Sequence, residues 1–166
     1  WFAGGRNSTS AGVSPPVAVS IRKSTRRVAS TWATSAVRAA TFGGTNAVIK
    51  IDPSSGAQTV VSSGGSLQFP AGILMTPAGK LYVADAPGTF GGGGTQAIYD
   101  IDLGTGTQTA VSTGGSLANP LSLALAPDGT LLTANHAGNG SIVSVTPPGP
   151  AGAQAVISSA GELKGA

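Results

Sequence analysis

A chain that repeats itself every fifty residues has to stack, because each copy folds alike and buries its faces only against a neighbour of the same kind. Shifted by 50, "IDPSSGAQTVVSSGGSLQFPAGILMTPAGKLYVAD" (51–85) falls on "IDLGTGTQTAVSTGGSLANPLSLALAPDGTLLTAN" (101–135) with 16 identities in 35 positions and no gap. A third, partial copy follows at a shift of about 46, where "IVSVTPPGPAGAQAVISSAGEL" (142–163) lies on "IYDIDLGTGTQTAVSTGGSL" (98–117).

One period holds four short runs of β-branched and aliphatic residues bounded by Gly, Pro, Asp or Asn: 121–126, 131–135, 142–146 and 154–158. Such runs are strands. In "PAGK" and "PDGT" a Pro with fixed φ precedes a Gly free to take positive φ, which closes a hairpin, and "GTGT" does the same later. Four antiparallel strands per 45 to 50 residues make a β-propeller blade. A parallel β-helix would use shorter rungs, and a helical solenoid would need a helical period that is absent. Composition agrees, with 26 Gly, 11 Pro and only 9% charged residues. The expected fold is all-β, an incomplete β-propeller of about two and a half four-stranded antiparallel blades over 41–166, behind an irregular basic leader over 1–40. Propellers close with about four to eight blades, so this many strands is expected to be a piece of a longer protein or to self-associate and so satisfy its open blade edges.

"FPAGILMTPAGKLYVAD" followed by "AIYDIDLGTGTQTAVS" resembles the blades of NHL-repeat and streptogramin-lyase-like propellers: a Pro-x-Gly opens the inner strand, a turn Gly precedes a Leu-Tyr-Val-Ala-Asp strand, and an Ile-Asp strand runs into a Thr-Gly turn. The resemblance covers 41–166. It implies the fold, while the function stays open among binding scaffolds, lyases and lactonases. Streptogramin lyases use His and Glu residues with a divalent metal; this chain has one His and one Glu, His136 and Glu162. Gluconolactonase-type propellers bind a metal through an Asn in a Pro-Asn-Gly and an Asp that ends a strand like "LYVAD". The matching places here read Pro70-Ala71-Gly72 and Pro120-Leu121-Ser122, so that Asn is missing from both, while Asp85 is present.

The candidate ligand-binding residues are Asp85, its repeat partner Asn135 and the adjoining His136 in "ANHAGNG". A strand-end Asp is also a turn former that bonds its own backbone, and His136 also fits an exposed loop. A Ser/His/Asp triad has no Gly-x-Ser-x-Gly elbow to stand on. Ser20 and Lys23 match Ser-x-x-Lys without its companion motifs, and "FGGGGT" (90–95) lacks the Lys-Ser/Thr of a phosphate loop. Asp100 and Asp102 alternate along one strand and share a face, which suits either a cation or plain solvation. Asn7-Ser8-Thr9 and Asn139-Gly140-Ser141 are formal glycosylation sequons. No catalytic residue, metal-ligand set or cofactor is expected, and without cysteine there is neither a disulfide nor a thiolate site.

No apolar run approaches the roughly 18 to 20 residues of a membrane span. The formal charge of +3 is confined to the leader: residues 1–39 hold six Lys and Arg and no acid, whereas 40–166 hold three Lys and all six acids. A nucleic-acid footprint across the domain is therefore not expected. The main expectation is a non-catalytic binding or structural module of a secreted or surface protein, with an unidentified protein or small-molecule partner. The alternative is a lactonase- or lyase-like propeller enzyme whose metal site is completed by missing blades or a second copy.

Repeat arithmetic places a "LYVAD"-like strand near position 31, where the chain reads "STWAT". Read one base back, codons 30–34 can encode Leu-Tyr-Val-Gly-Asp, so much of 1–40 is expected to be an out-of-frame translation of a blade, irregular and dispensable. A transit peptide is the rival reading, being likewise Arg- and Ser-rich and poor in acids.

Overall fold

The computed structural model describes residues 36–40, 46–87, 94–137, 140–147 and 153–159. Eleven strands occupy them, with no helix among the described residues. The first sheet is β1 (Ala36–Ala40), β2 (Ala47–Ile51) and β3 (Gln58–Ser63) in sequence order. In the second, β4 (Pro70–Met75), β5 (Leu81–Asp85), β6 (Ala97–Ile101) and β7 (Gln108–Thr113) again lie in sequence order. The third repeats the plan with β8 (Ala124–Leu125), β9 (Leu131–Asn135), β10 (Ser141–Thr146) and β11 (Ala153–Ser159). Every pairing is antiparallel. The chain is thus a partial β-propeller, as the repeat implied.

The period survives in the register. Pro70 pairs with Asp85 and Pro120 bridges Asn135, so the two prolines open equivalent inner strands. Each outer pair carries the same bulge, between Val48 and Ile49, Ile98 and Tyr99, and Ile142 and Val143. The extra residue of the bulge is Val61, Val111 or Ile157. Turn glycines take the expected positive φ, 81° at Gly79 and 88° at Gly129.

Apolar side chains fill the spaces between blades. Val48 of the first sheet packs with Leu81, Val83, Tyr99 and Ile101 of the second, and the Val61 bulge adds to them. One blade on, Tyr82, Ile98 and the Val111 bulge pack with Leu131, Val143 and Val145. Inner strands approach more closely still: a Cβ on Gly72 would lie 2.9 Å from the Leu121 carbonyl oxygen, so backbone packing is what the Gly of Pro-x-Gly permits.

Two expectations change. The inner strand read at 121–126 shortens to Ala124–Leu125. Thr133 stands where the second blade has Val83, and its hydroxyl donates to the Ser122 carbonyl at 2.7 Å, so a side-chain bond replaces the ladder there. The leader read as irregular through residue 40 contains β1, which pairs with β2 from Ala36↔Ile51 to Ala40↔Ala47. The strand before β2 therefore lies at 36–40, because "AVRAA" can extend beside "AVIKI" whatever its coding frame. Residues 1–35, including Ser20, Lys23, the Asn7 sequon and positions 30–34, lie outside the described residues, as do 90–93 of "FGGGGT" and Asn139.

Candidate functional site

Antiparallel topology sorts the candidates onto two ends of the blades. β5 and β9 finish, and β4 begins, at one end, together with the connections that enter each new blade. Asp85, Asn135 and His136 all lie there. Asp100 and Asp102 lie at the other end, where β6 finishes.

Asp85 has no exposed surface. Its Oδ1 accepts from the Phe69 amide at 2.6 Å and the Gln68 amide at 3.1 Å, and Oδ2 accepts from Gln68 at 3.1 Å. The local turn expected of a strand-end Asp is absent: this carboxylate clamps the segment that leads into β4. Burial pushes its pKa up, and the two amides pull against that rise. Beside it, burial raises the Tyr99 phenol and the Asp85 charge adds to the rise.

Asn135 clamps the equivalent segment with different chemistry. Its Oδ1 accepts from the Ala118 amide at 3.0 Å, while Nδ2 donates to the Ser116 carbonyl at 2.7 Å and to Ser141 Oγ at 2.9 Å. An amide suits this blade because Ser141 offers an acceptor where the second blade has Ala97. The Asn119 amide, which corresponds to that of Phe69, turns instead to Gln96 Oε1 at 3.1 Å, and Asn119 sits at φ 55°. His136 is exposed, and its amide donates to the Asn119 carbonyl at 2.9 Å.

At the opposite end, Lys80 Nζ donates to Asp100 Oδ2 at 2.7 Å. Asp102 Oδ1 accepts from the Gly104 amide and from the Thr105 amide and hydroxyl, closing the β6–β7 turn. Lys80, Asp100, Asp102 and Thr109 line an open hollow of about 430 Å³. The two acids thus serve an ion pair and a turn.

One set of residues escaped the reading of motifs. Gln108, at the start of β7, reaches back to the first sheet: Nε2 donates to Ser62 Oγ and to the Gly64 carbonyl, both at 3.0 Å, and Oε1 accepts from the Ser66 amide at 2.8 Å. Gln154, at the start of β11, does the same to Ser112 Oγ, the Gly114 carbonyl and the Ser116 amide at 2.7, 3.0 and 2.5 Å. The signal was present, since Gln recurs in register at 58, 108 and 154, and Ser-Ser/Thr-Gly-Gly-Ser recurs at 62–66 and 112–116, the segments that Gln108 and Gln154 hold.

A resident divalent metal of the gluconolactonase kind needs several free anionic or imidazole donors in one place. No group of three His, Cys, Asp or Glu side chains gathers among the described residues, and Asp85 spends both oxygens on main-chain amides. These blades do not fit such a metal.

No family model matches the chain, and no curated protein matches it. Solved structures do. A candidate gluconolactonase superposes with a TM-score of 0.56 at 18% identity over 76% of this chain and 47% of its own. The periplasmic gluconolactonase of Pseudomonas aeruginosa superposes with a TM-score of 0.54 at 22% identity over 75% of this chain and 37% of its own. At these identities the likeness is one of fold. The chain spans less than half the length of either propeller.

Proposed function

We propose that the chain supplies blades of a lactonase- or lyase-like propeller enzyme whose reacting groups are completed by further blades or by a second copy. The observation that carries this reading is the likeness to two propellers whose own descriptions name gluconolactonases, each roughly twice or more the length matched here. In this reading the end that bears Asp85, Asn135 and His136 faces the substrate. Asp85 and Asn135 hold the connections that form its floor, and the exposed His136 presents an imidazole, the side chain most used to move protons in catalysis. The substrate class is a cyclic ester of a sugar acid, opened by water.

A second reading has its own support. Because Asp85 and Asn135 are consumed as clamps, the described blades carry no free catalytic group besides His136 at that end, which suits a non-catalytic binding or structural module of a secreted or surface protein. A pH-stat assay with five- and six-membered aldonolactones, run on the complete propeller that holds these blades together with the ones that complete them, separates the two. Acid release above the buffer rate, lost in His136→Ala, is expected of the enzyme. A rate equal to that of buffer overturns it and leaves the binding module.

A further inference from the structure

The joint between consecutive blades is built twice from the same parts, and each outer sheet face carries one half of a third. In the first joint the Val61 bulge packs on the second blade, Ser62 Oγ donates to the Gly106 carbonyl at 2.7 Å, and Gln108 returns its amide to Ser62. Gly106, at φ 73°, lies so close to the Val61 carbonyl that no Cβ fits between them. In the second joint the Val111 bulge is 5% exposed and Gln154 holds Ser112.

The unmatched halves have the same composition. Register places Ile157 at the Val61 and Val111 position and Ser158 at the Ser62 and Ser112 position. Ile157 is 57% exposed and Ser158 is exposed, whereas Ser62 and Ser112 are buried. On the first sheet, Gln58 occupies the place of Gln108 and Gln154, and Val60 that of Ala110, which packs into the first joint. Val60 is 58% exposed, and Gln58 has no side-chain partner among the described residues. Gly56 stands where Gly106 does, at φ 71°, with open space where a Cβ would lie. One face thus presents a peg and a serine; the other presents a glutamine, a glycine notch and an apolar edge.

We propose that these halves join between two copies of the chain, with Ile157 and Ser158 of one copy seated on Gly56, Gln58 and Val60 of the other. The contact is head to tail, so two copies make it twice if the rotation closes. The six sheets formed by the described residues of two copies then lie in one ring, within the range in which propellers close. The repeated joints are independent of the lactonase reading, and a mass and a crosslink test them without any activity.

The chain has no cysteine, which makes the test direct. Single variants Gln58→Cys and Ser158→Cys are purified separately, mixed, and treated with a short bis-maleimide. A crosslinked pair that forms in the mixture, and does not form with Gln58→Cys alone or with Lys80→Cys in place of Ser158→Cys, is expected. Sedimentation equilibrium of the unmodified protein should give twice the mass of one chain, falling to one chain in Ile157→Asp, whose side chain is exposed in the single copy, so that its fold is retained by circular dichroism. A mass of one chain at all concentrations, whether the faces stay open or further blades of the same chain cover them, overturns the proposal. So does a dimer that crosslinks through Gln58→Cys alone.

Discussion

Asp85 and Asn135 occupy the same point in consecutive blades and hold the same stretch of backbone, one as an acceptor of two amides and the other as an acceptor of one and a donor of two. The isosteric pair shows what the position requires: a planar head that accepts from the connection entering the blade. Charge is not required.

Asp85→Ala therefore leaves the Gln68 and Phe69 amides without this acceptor and should cost about 1–3 kcal/mol, the loss of part-buried hydrogen bonds to a carboxylate. Asp85→Asn should cost less than half as much. Urea midpoints at neutral pH check both. Equal losses for the two variants would mean that the charge, rather than the clamp, holds the connection.

The same residue sets a pH dependence of unusual sign. Burial raises its pKa, so the native state binds the proton more readily than the unfolded chain, whose Asp titrates near ~3.9. Its contribution to stability is greatest below that value and declines as pH rises through the folded pKa. Asp52 is held low by the Ser54 hydroxyl and amide, and Asp102 by the Thr105 amide; both act in the opposite direction, stabilising above the unfolded value and losing that contribution as pH falls through their folded values. As pH rises from the unfolded Asp value of about 3.9, the stability of Asp85→Asn relative to the unmodified protein should rise, whereas that of Asp102→Asn should fall as pH rises toward that same value from below. Urea titrations at half-unit steps give the two slopes, and parallel curves would contradict the assignment.

Gln108 joins two blades with three hydrogen bonds, so Gln108→Ala should lower stability by about 1–2 kcal/mol. Gln154→Ala should match it. Gln58→Ala, with no partner inside the single copy, should leave the unfolding midpoint of dilute protein unchanged. A loss at Gln58 equal to that at Gln108 would show that the glutamine stabilises its own strand and not the joint.

Glycines in equivalent turns should separate in the same way. Gly56→Ala meets only the left-handed backbone, about 1 kcal/mol in dilute protein, because nothing stands near its Cβ. Gly106→Ala meets that cost and the Val61 carbonyl as well, and should lose at least 1 kcal/mol more. Thermal or urea midpoints of the two variants provide the comparison.

The blades were legible because their information is local. A 50-residue shift, alternating strands and Pro and Gly in hairpin turns specify four antiparallel strands per period, and Pro70 and Pro120 sit at equivalent points as that shift requires. The strand at 36–40 was hidden since "AVRAA" has neither the pattern nor the turn residues of its counterparts, and it is held by β2 rather than by its own propensity. The candidate site was legible only as a list of names. Asp85 reads as a free strand-end acid until the fold brings Gln68 and Phe69, 16 to 17 residues earlier, onto its oxygens.

By itself, then, the sequence determined the period, the strand type and the turn chemistry, since φ preferences and side-chain alternation act within a few residues. Tertiary structure alone decided which polar side chains are spent: Asp85 and Asn135 on their own blades, Gln108 and Gln154 on the blade before. Apart from the short Asn135–Ser141 bond, those contacts span 16 to 46 residues of chain, and only the folding of each blade and the stacking of one sheet on the next set the distances that make or break them.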